Sequence, residues 1–125
     1  MIISTGIDIV EVYRIAETMT RTPRFAERVF TPAERDYCDA KGAAAAQSYA
    51  GRFAAKEAFL KAIKTGWRGK ITWHDIEIRS DDQGVPAFTI NGESRRLLDE
   101  RGVKRVHLSI SHTTEHAVAH VIFEN

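Results

Sequence analysis
Isoleucine and valine crowd the start of the chain, in Ile2-Ile3-Ser4-Thr5-Gly6-Ile7-Asp8-Ile9-Val10. The run reads as a β-strand, because β-branched side chains fit a pleated surface. Apolar spacing then turns helical over Glu11 to Thr20. Thr31-Pro32-Ala33-Glu34 offers an N-cap hydroxyl, a first-turn proline and a glutamate able to reach back, which predicts a capping box. The helix it opens is expected to carry Tyr37 and Cys38 inward. A long helix is expected from Ala43 to Lys64, a stretch without proline and poor in β-branched residues, with Gly66 just past its end. From Ile71 the pattern alternates, predicting strands at Ile71 to Arg79, Pro86 to Ile90, Val106 to Ile110 and Ala117 to Phe123. A turn at Ser80 to Val85 and a short amphipathic helix near Glu93 to Glu100, ended by Gly102, separate them. Helices early and strands late predict an α+β fold, its sheet mainly antiparallel and packed with one long helix and shorter ones.

At 125 residues and 43% hydrophobic, the chain can build one core, and a single domain over residues 1–125 is expected. No repeat, low-complexity tract or linker interrupts it, and Ala43 to Ala46 belongs to the long helix. The single cysteine, Cys38, rules out an internal disulfide and suits a reducing cytosol. It lies in an expected helix with no identifiable base, so it reads as a small hydrophobe and not a nucleophile. No apolar run approaches the roughly eighteen residues of a membrane span, and the N-terminus lacks the basic start and apolar core of a signal peptide. A cytoplasmic protein is expected. A net charge of +1 argues against a general nucleic-acid binder.

Two carboxylates are oddly placed. On a wheel of about 100° per residue, Tyr49, Phe53 and Leu60 share one stripe of the long helix, and Glu57 falls beside them with Ala50, Ala54 and Lys61. Glu57 and Lys61 can form a surface i,i+4 ion pair, or Glu57 can be partly desolvated and in need of a cation. Gly51, inside this helix, permits close approach by a backbone or a ligand. Asp8 sits among isoleucines, where an ionised carboxylate needs a cation or several donors; alternatively it caps the helix that follows. Two such carboxylates from separate elements suit a hard divalent ion completed by water and phosphate. Arg14, Arg21, Arg24 and Arg28 would fall within about 80° of one another on a continuous wheel, which Pro23 is expected to break. They form either a docking face for an acidic partner or a solvated surface offset by Glu17 and Glu27. His112, His116 and His120 recur every four residues, which on a helix would make a zinc-binding row, but the segment around His120 reads better as a strand.

Four motifs carry a resemblance over nearly the whole chain, in order: Gly6-Ile7-Asp8-Ile9-Val10, Arg28-Val29-Phe30-Thr31-Pro32-Ala33-Glu34, Arg52-Phe53-Ala54-Ala55-Lys56-Glu57-Ala58 with Lys61, and Leu108-Ser109-Ile110-Ser111-His112-Thr113. Together they resemble the holo-[acyl-carrier-protein] synthase family of 4′-phosphopantetheinyl transferases. The turn Thr65 to Lys70 and the pair His116/His120 depart from that pattern, which bears on substrate preference. The resemblance implies the 4′-phosphopantetheinyl transferase-like fold and transfer of 4′-phosphopantetheine from coenzyme A to a serine of an apo acyl carrier protein, in fatty acid or polyketide synthesis, with release of adenosine 3′,5′-bisphosphate. It implies that Asp8 and Glu57 hold Mg²⁺, with Mn²⁺ as an alternative, and that Lys61 reaches a phosphate oxygen. A metal-bound water and Glu57 are the two candidates for the base. Arg52, Lys64, His112 and Thr113 are implied as coenzyme A contacts, Gly84 and Pro86 as a turn beside it, and Arg14, Arg21, Arg24 and Arg28 as the carrier-docking face. Members of the family form homotrimers with coenzyme A between neighbouring chains. The rival from another class is a non-catalytic module that binds acidic proteins or nucleotides and is indifferent to Mg²⁺.

Overall fold
A computed structural model describes residues 1–64 and 71–125; the expected turn at 65–70 and the expected glycine stop at Gly66 lie outside the described residues. Strand β1 (Ile2–Glu11) runs directly into helix α1 (Val12–Arg21), followed by α2 (Arg24–Val29) and α3 (Pro32–Asp39). A 3-10 turn at Gly42–Ala44 opens the long helix α4 (Ala45–Ile63). Strands β2 (Ile76–Ser80) and β3 (Pro86–Ile90), helix α5 (Gly92–Glu100), and strands β4 (Arg105–His112) and β5 (His116–Glu124) complete the order. The antiparallel pairing expected from the sequence is divided between two sheets, β1-β5-β4 and β2-β3.

Local chemistry accounts for the boundaries. The capping box at Thr31 forms as expected: its hydroxyl accepts from the Glu34 N–H at 3.2 Å, and Glu34 Oε1 accepts from the Thr31 N–H at 2.8 Å. Pro23 separates α1 from α2, so the four arginines lie on two helices rather than one continuous face. The strand expected from Ile71 begins only at Ile76, because Trp73–Asp75 forms a 3-10 turn. That turn points the Trp73 carbonyl at Lys56 and stacks the indole 5.7 Å from the Phe53 ring. Helix α4 ends at Lys64, which takes a left-handed φ of 61° and donates its N–H to the Leu60 carbonyl at 3.1 Å.

Helix α4 is the centre of the molecule. It packs against β1, β4 and β5 on one side and α1 and α3 on others. The single apolar stripe expected on this helix is therefore corrected: Ala50, Ala54, Ala55, Ala58, Phe59 and Ile63 are all fully buried, and burial extends around most of the circumference. Alanine makes this possible, because a methyl lets neighbours approach from several directions at once. Two apolar clusters result. One gathers Phe59 with Phe88 and Phe123, ring centroids 5.2 Å apart in each pair. The other gathers Val12, Ile15, Phe30 and Tyr49 under α1 to α3, with Phe30 and Tyr49 rings 4.9 Å apart. Cys38 is buried in the second cluster, as expected, whereas Tyr37 is only half-buried. No described helix is long and apolar enough to cross a membrane.

A buried ion pair ties these layers together. Lys56 Nζ donates to Glu34 Oε1 at 2.7 Å, to the Val29 carbonyl at 2.7 Å and to the Trp73 carbonyl at 3.0 Å, and both side chains of the pair have zero exposure. Glu34 Oε2 accepts the Ile78 N–H at 2.7 Å. Burial pulls the Lys56 pKa down and Glu34 opposes it, so the ammonium depends on its carboxylate. Lys56→Met is expected to cost about 3–5 kcal/mol, since it takes the cation from a buried carboxylate and a donor from each of two carbonyls. Arg96→Ala, which breaks exposed pairs to Glu93 and Glu100, is expected to cost under about 1 kcal/mol. Urea unfolding of the two variants checks the contrast; equal losses would mean that the buried pair does not hold the layers.

Candidate active site
Asp8 faces α4 because β1 alternates. Gly6, Asp8 and Val10 turn inward while Ile7 and Ile9 turn outward, the latter two remaining 60% and 66% exposed. The inward row approaches unusually closely at Gly6, where a Cβ would collide with the Ala58 carbonyl oxygen and the Ala62 nitrogen. Ser4 clips the same strand to the helix, its hydroxyl donating to the Ala62 carbonyl at 2.7 Å. Strand and helix are thus held close enough for Asp8 to meet side chains of α4. Gly6 as a contact point is one feature the sequence reading missed; its signal was a lone glycine inside a strand pattern.

The three residues expected at the centre of the chemistry come together. Lys61 Nζ donates to Asp8 Oδ1 at 2.8 Å and to the Ile7 carbonyl at 3.2 Å. Glu57 is held above the ordinary carboxylate range, first by burial and then by the negative charge of Asp8, with Lys61 pulling the other way. Lys61 therefore sits on Asp8, and the surface Glu57–Lys61 pair is not the main contact. Asp8 Oδ2 is buried with no hydrogen-bond partner among the described residues. Two hard oxygen donors, one orphaned and one desolvated, fit a divalent cation that keeps water or phosphate oxygens for its other positions. No group of three or more histidine, cysteine or carboxylate side chains assembles among the described residues.

Arg52, Gly84, Pro86 and His112, expected as coenzyme contacts, line one cleft of about 350 Å³ between α4, the β2–β3 turn and the end of β4. Gly51 lines it too, and a Cβ there would press on the Ile110 side chain at 3.0 Å, in keeping with the close approach expected at this glycine. Gly84 takes a φ of 80° in a turn whose Asp81 carboxylate accepts the Gln83 and Val85 N–H groups. Arg52 is only 5% exposed, donates to Ser80 Oγ at 3.0 Å and leaves its Nε without a partner. Its guanidinium lies 3.9 Å from the Tyr37 ring centroid, and Lys41 Nζ lies 4.6 Å from the same ring. The Tyr37 hydroxyl sits below the usual phenol range, chiefly through its hydrogen bond with Ser80, with Arg52 and Lys41 adding to it. Tyr37, Lys41, Ser48 and Ser80 also line the cleft, a role the sequence does not signal; Tyr37, expected to point inward, packs partly against the second apolar cluster and also walls the cleft.

Other expected residues fall elsewhere. Lys64 is exposed at the end of α4 and does not line the cleft. Thr113 closes the β4–β5 turn, its hydroxyl accepting the Glu115 and His116 N–H groups at 3.2 and 3.1 Å. His116 and His120 lie on the exposed outer face of β5 and His112 at the end of β4, so the three histidines form no row on one helix. Arg14 pairs with Glu11 at 3.0 Å and Arg21 with Glu17 at 2.8 Å, both exposed, while Arg24 and Arg28 are exposed on α2.

A cationic cleft with one arginine built in from below, on the same helix as Glu57 and with Asp8 of β1 completing a pair of carboxylates, marks a protein that handles a phosphorylated small molecule. The model of the 4′-phosphopantetheinyl transferase superfamily matches residues 4–121, and the chain belongs to that superfamily, among its holo-[acyl-carrier-protein] synthases. It is 50% identical to the holo-[acyl-carrier-protein] synthase of Koribacter versatilis over the full length of both chains, and 48% identical to that of Halothermothrix orenii over 99% of this chain and 98% of the relative. Among solved structures, the Neisseria meningitidis enzyme superposes with a TM-score of 0.88 at 38% identity over the whole of both chains. The Bacillus anthracis enzyme, in complex with CoA (3′,5′-ADP), superposes at 0.80 and 41% identity over 98% of this chain and 96% of its own.

The raised Glu57 pKa has a consequence for stability. Folding favours the protonated acid, so the folded state loses relative stability as pH rises from the unfolded value near about 4.3 through the folded one. With chelator present, Glu57→Gln is expected to melt above the parent protein at neutral pH, and the gap should close below about pH 4. Calorimetry across that range checks it; a variant that melts lower at neutral pH would show Glu57 to be stabilised in place.

Proposed function
We propose that the protein transfers the 4′-phosphopantetheine arm of coenzyme A to a serine hydroxyl of an apo acyl carrier protein, giving holo carrier and adenosine 3′,5′-bisphosphate. The observation that carries this reading is the combination of a cationic cleft at Arg52 and His112 with the Asp8, Glu57 and Lys61 cluster, in a full-length member of the superfamily. In this reading the bisphosphate end of coenzyme A lies in the cleft. Arg52, preset by Tyr37 and Ser80, faces a phosphate, with Lys41 adding positive charge and His112 a ring nitrogen. Asp8 and Glu57 hold Mg²⁺ or Mn²⁺, which supplies charge neutralisation at the pyrophosphate. Lys61 stands one turn beyond Glu57 and donates to a phosphate oxygen of the departing bisphosphate. Phosphoryl transfer asks mainly for positioning and charge neutralisation, and these side chains provide both.

The cluster and the cleft lie toward opposite edges of the β1-β5-β4 sheet, Asp8 on β1 and His112 on β4. Two strand spacings separate such edges by about 10 Å. A homotrimer in which the β1 edge of one chain meets the cleft of the next completes the site. The uncovered Ile3, Ile7 and Ile9 row, with both sheet edges unpaired among the described residues, supports that assembly. Arg14 lines an adjoining surface cleft with Ile9, Ile15 and Phe53, and with Arg21, Arg24 and Arg28 it forms the docking face for an acidic carrier helix. The chain acts as one domain, in the cytoplasm, where its single cysteine persists as a free thiol.

Incubating apo acyl carrier protein with the protein, coenzyme A and Mg²⁺ should add one phosphopantetheine to the intact mass, and chelator should prevent it. Asp8→Asn and Glu57→Gln are expected to abolish the gain while folding normally. Absence of any gain across fatty-acid and polyketide carriers would leave the non-catalytic binding module as the better reading. Arg14→Glu with Arg21→Glu is expected to raise the KM for carrier at least about tenfold, less at high salt, with the KM for coenzyme A unmoved. Unchanged carrier kinetics would remove the docking face.

A further inference from the structure
We infer that Lys61 is a resident cation of the acidic pair: it competes with the divalent ion for Asp8 and turns to the substrate's phosphates only once the ion has displaced it. The inference rests on the reading of Asp8 and Glu57 as the metal-holding pair and adds the order in which the site is armed.

The geometry of the three side chains carries it. Lys61 Nζ is seated on Asp8 Oδ1 at 2.8 Å, with the Ile7 carbonyl as its second acceptor. Asp8 keeps 13% of its side chain exposed and is fixed by the strand, whereas Lys61 keeps 55% exposed on a flexible four-carbon stem. The lysine meets only one carboxylate oxygen; Oδ2 stays buried and unpartnered. A dication bonded to Asp8 satisfies both acids better than an ammonium does, and it repels the ammonium across the few ångströms that separate two cations on one carboxylate. The ammonium is the mobile member. Its place one helical turn beyond Glu57 lets the released stem swing over whatever lies on the acids, so the phosphate-neutralising lysine is freed only in metal-loaded molecules and the acids are never left without a cation.

Two measurements test this without reading turnover. Calorimetric titration of the full-length protein with Mg²⁺, without coenzyme, should show Lys61→Met binding about three- to tenfold more tightly than the parent, and Asp8→Asn not binding. Binding to the parent that is lost in Asp8→Asn but not tightened in Lys61→Met would overturn the inference and leave the metal pair standing. No binding to either the parent or Lys61→Met would overturn both. In the unaltered protein, acetic anhydride labelling of Lys61, read by peptide mass, should rise on adding Mg²⁺ and not on adding NaCl of equal ionic strength. Labelling indifferent to Mg²⁺ would sink the inference even if the variant failed to fold.

Discussion
Lys56 and Glu34 form the contact on which the arrangement of this molecule depends. Removing two charges from water costs several kcal/mol per ion, and the cost is met only when every proton and lone pair finds a partner. Here the ammonium uses all three protons, on Glu34 and on the carbonyls of Val29 and Trp73. Glu34 answers with the N–H groups of Thr31 and Ile78. One pair therefore fixes the end of α2, the start of α3, the middle of α4, the turn before β2 and β2 itself. Its geometry also sets which way α4 is rotated, because Lys56 must face the α2–α3 junction while its neighbour Glu57 faces β1.

That rotation is what lets one helix serve two sites. Arg52, Lys56 and Glu57 all lie on α4, yet they point into a cationic cleft, a buried ion pair and an acidic cluster respectively. Such different surroundings along one helix are possible because seven of its nineteen residues are alanine, which admits a sheet on one side and helices on others. Gly6 does the same for β1. The functional groups are charged, but the distances among them are set by the smallest side chains in the protein.

The electrostatics divide along the same lines. In the cleft, Arg52 is held under Tyr37 with a free Nε, an arrangement suited to receiving anionic oxygens. At the acidic cluster the imbalance has the opposite sign, with Asp8 and Glu57 beside one lysine that is bonded to Asp8. A pyrophosphate between two such regions, one from each of two neighbouring chains in the proposed trimer, would meet the cleft's positive charge at one end and, at the other, the cation that Asp8 and Glu57 would hold. The exposed isoleucines of β1 lie where that second chain would have to sit.

By itself the sequence determined the element types, the α+β class, the capping box at Thr31 and the residues of the acidic cluster, because those rest on local signals: β-branching, helical spacing, a hydroxyl three residues before a glutamate, and carboxylates set among apolar neighbours. It also carried the motifs that resemble the superfamily. It did not show that the strand after Ile71 starts late, that α4 is buried almost all round, that Tyr37 walls a cleft, or that Lys61 rests on Asp8. Each of these depends on partners more than ten residues away: Trp73 on Phe53 and Lys56, Tyr37 on Arg52 and Ser80, Asp8 on Lys61. A one-dimensional pattern records which residues prefer burial or charge; only the tertiary packing decides which of them meet, since meeting is a matter of distance across elements and not of position along the chain.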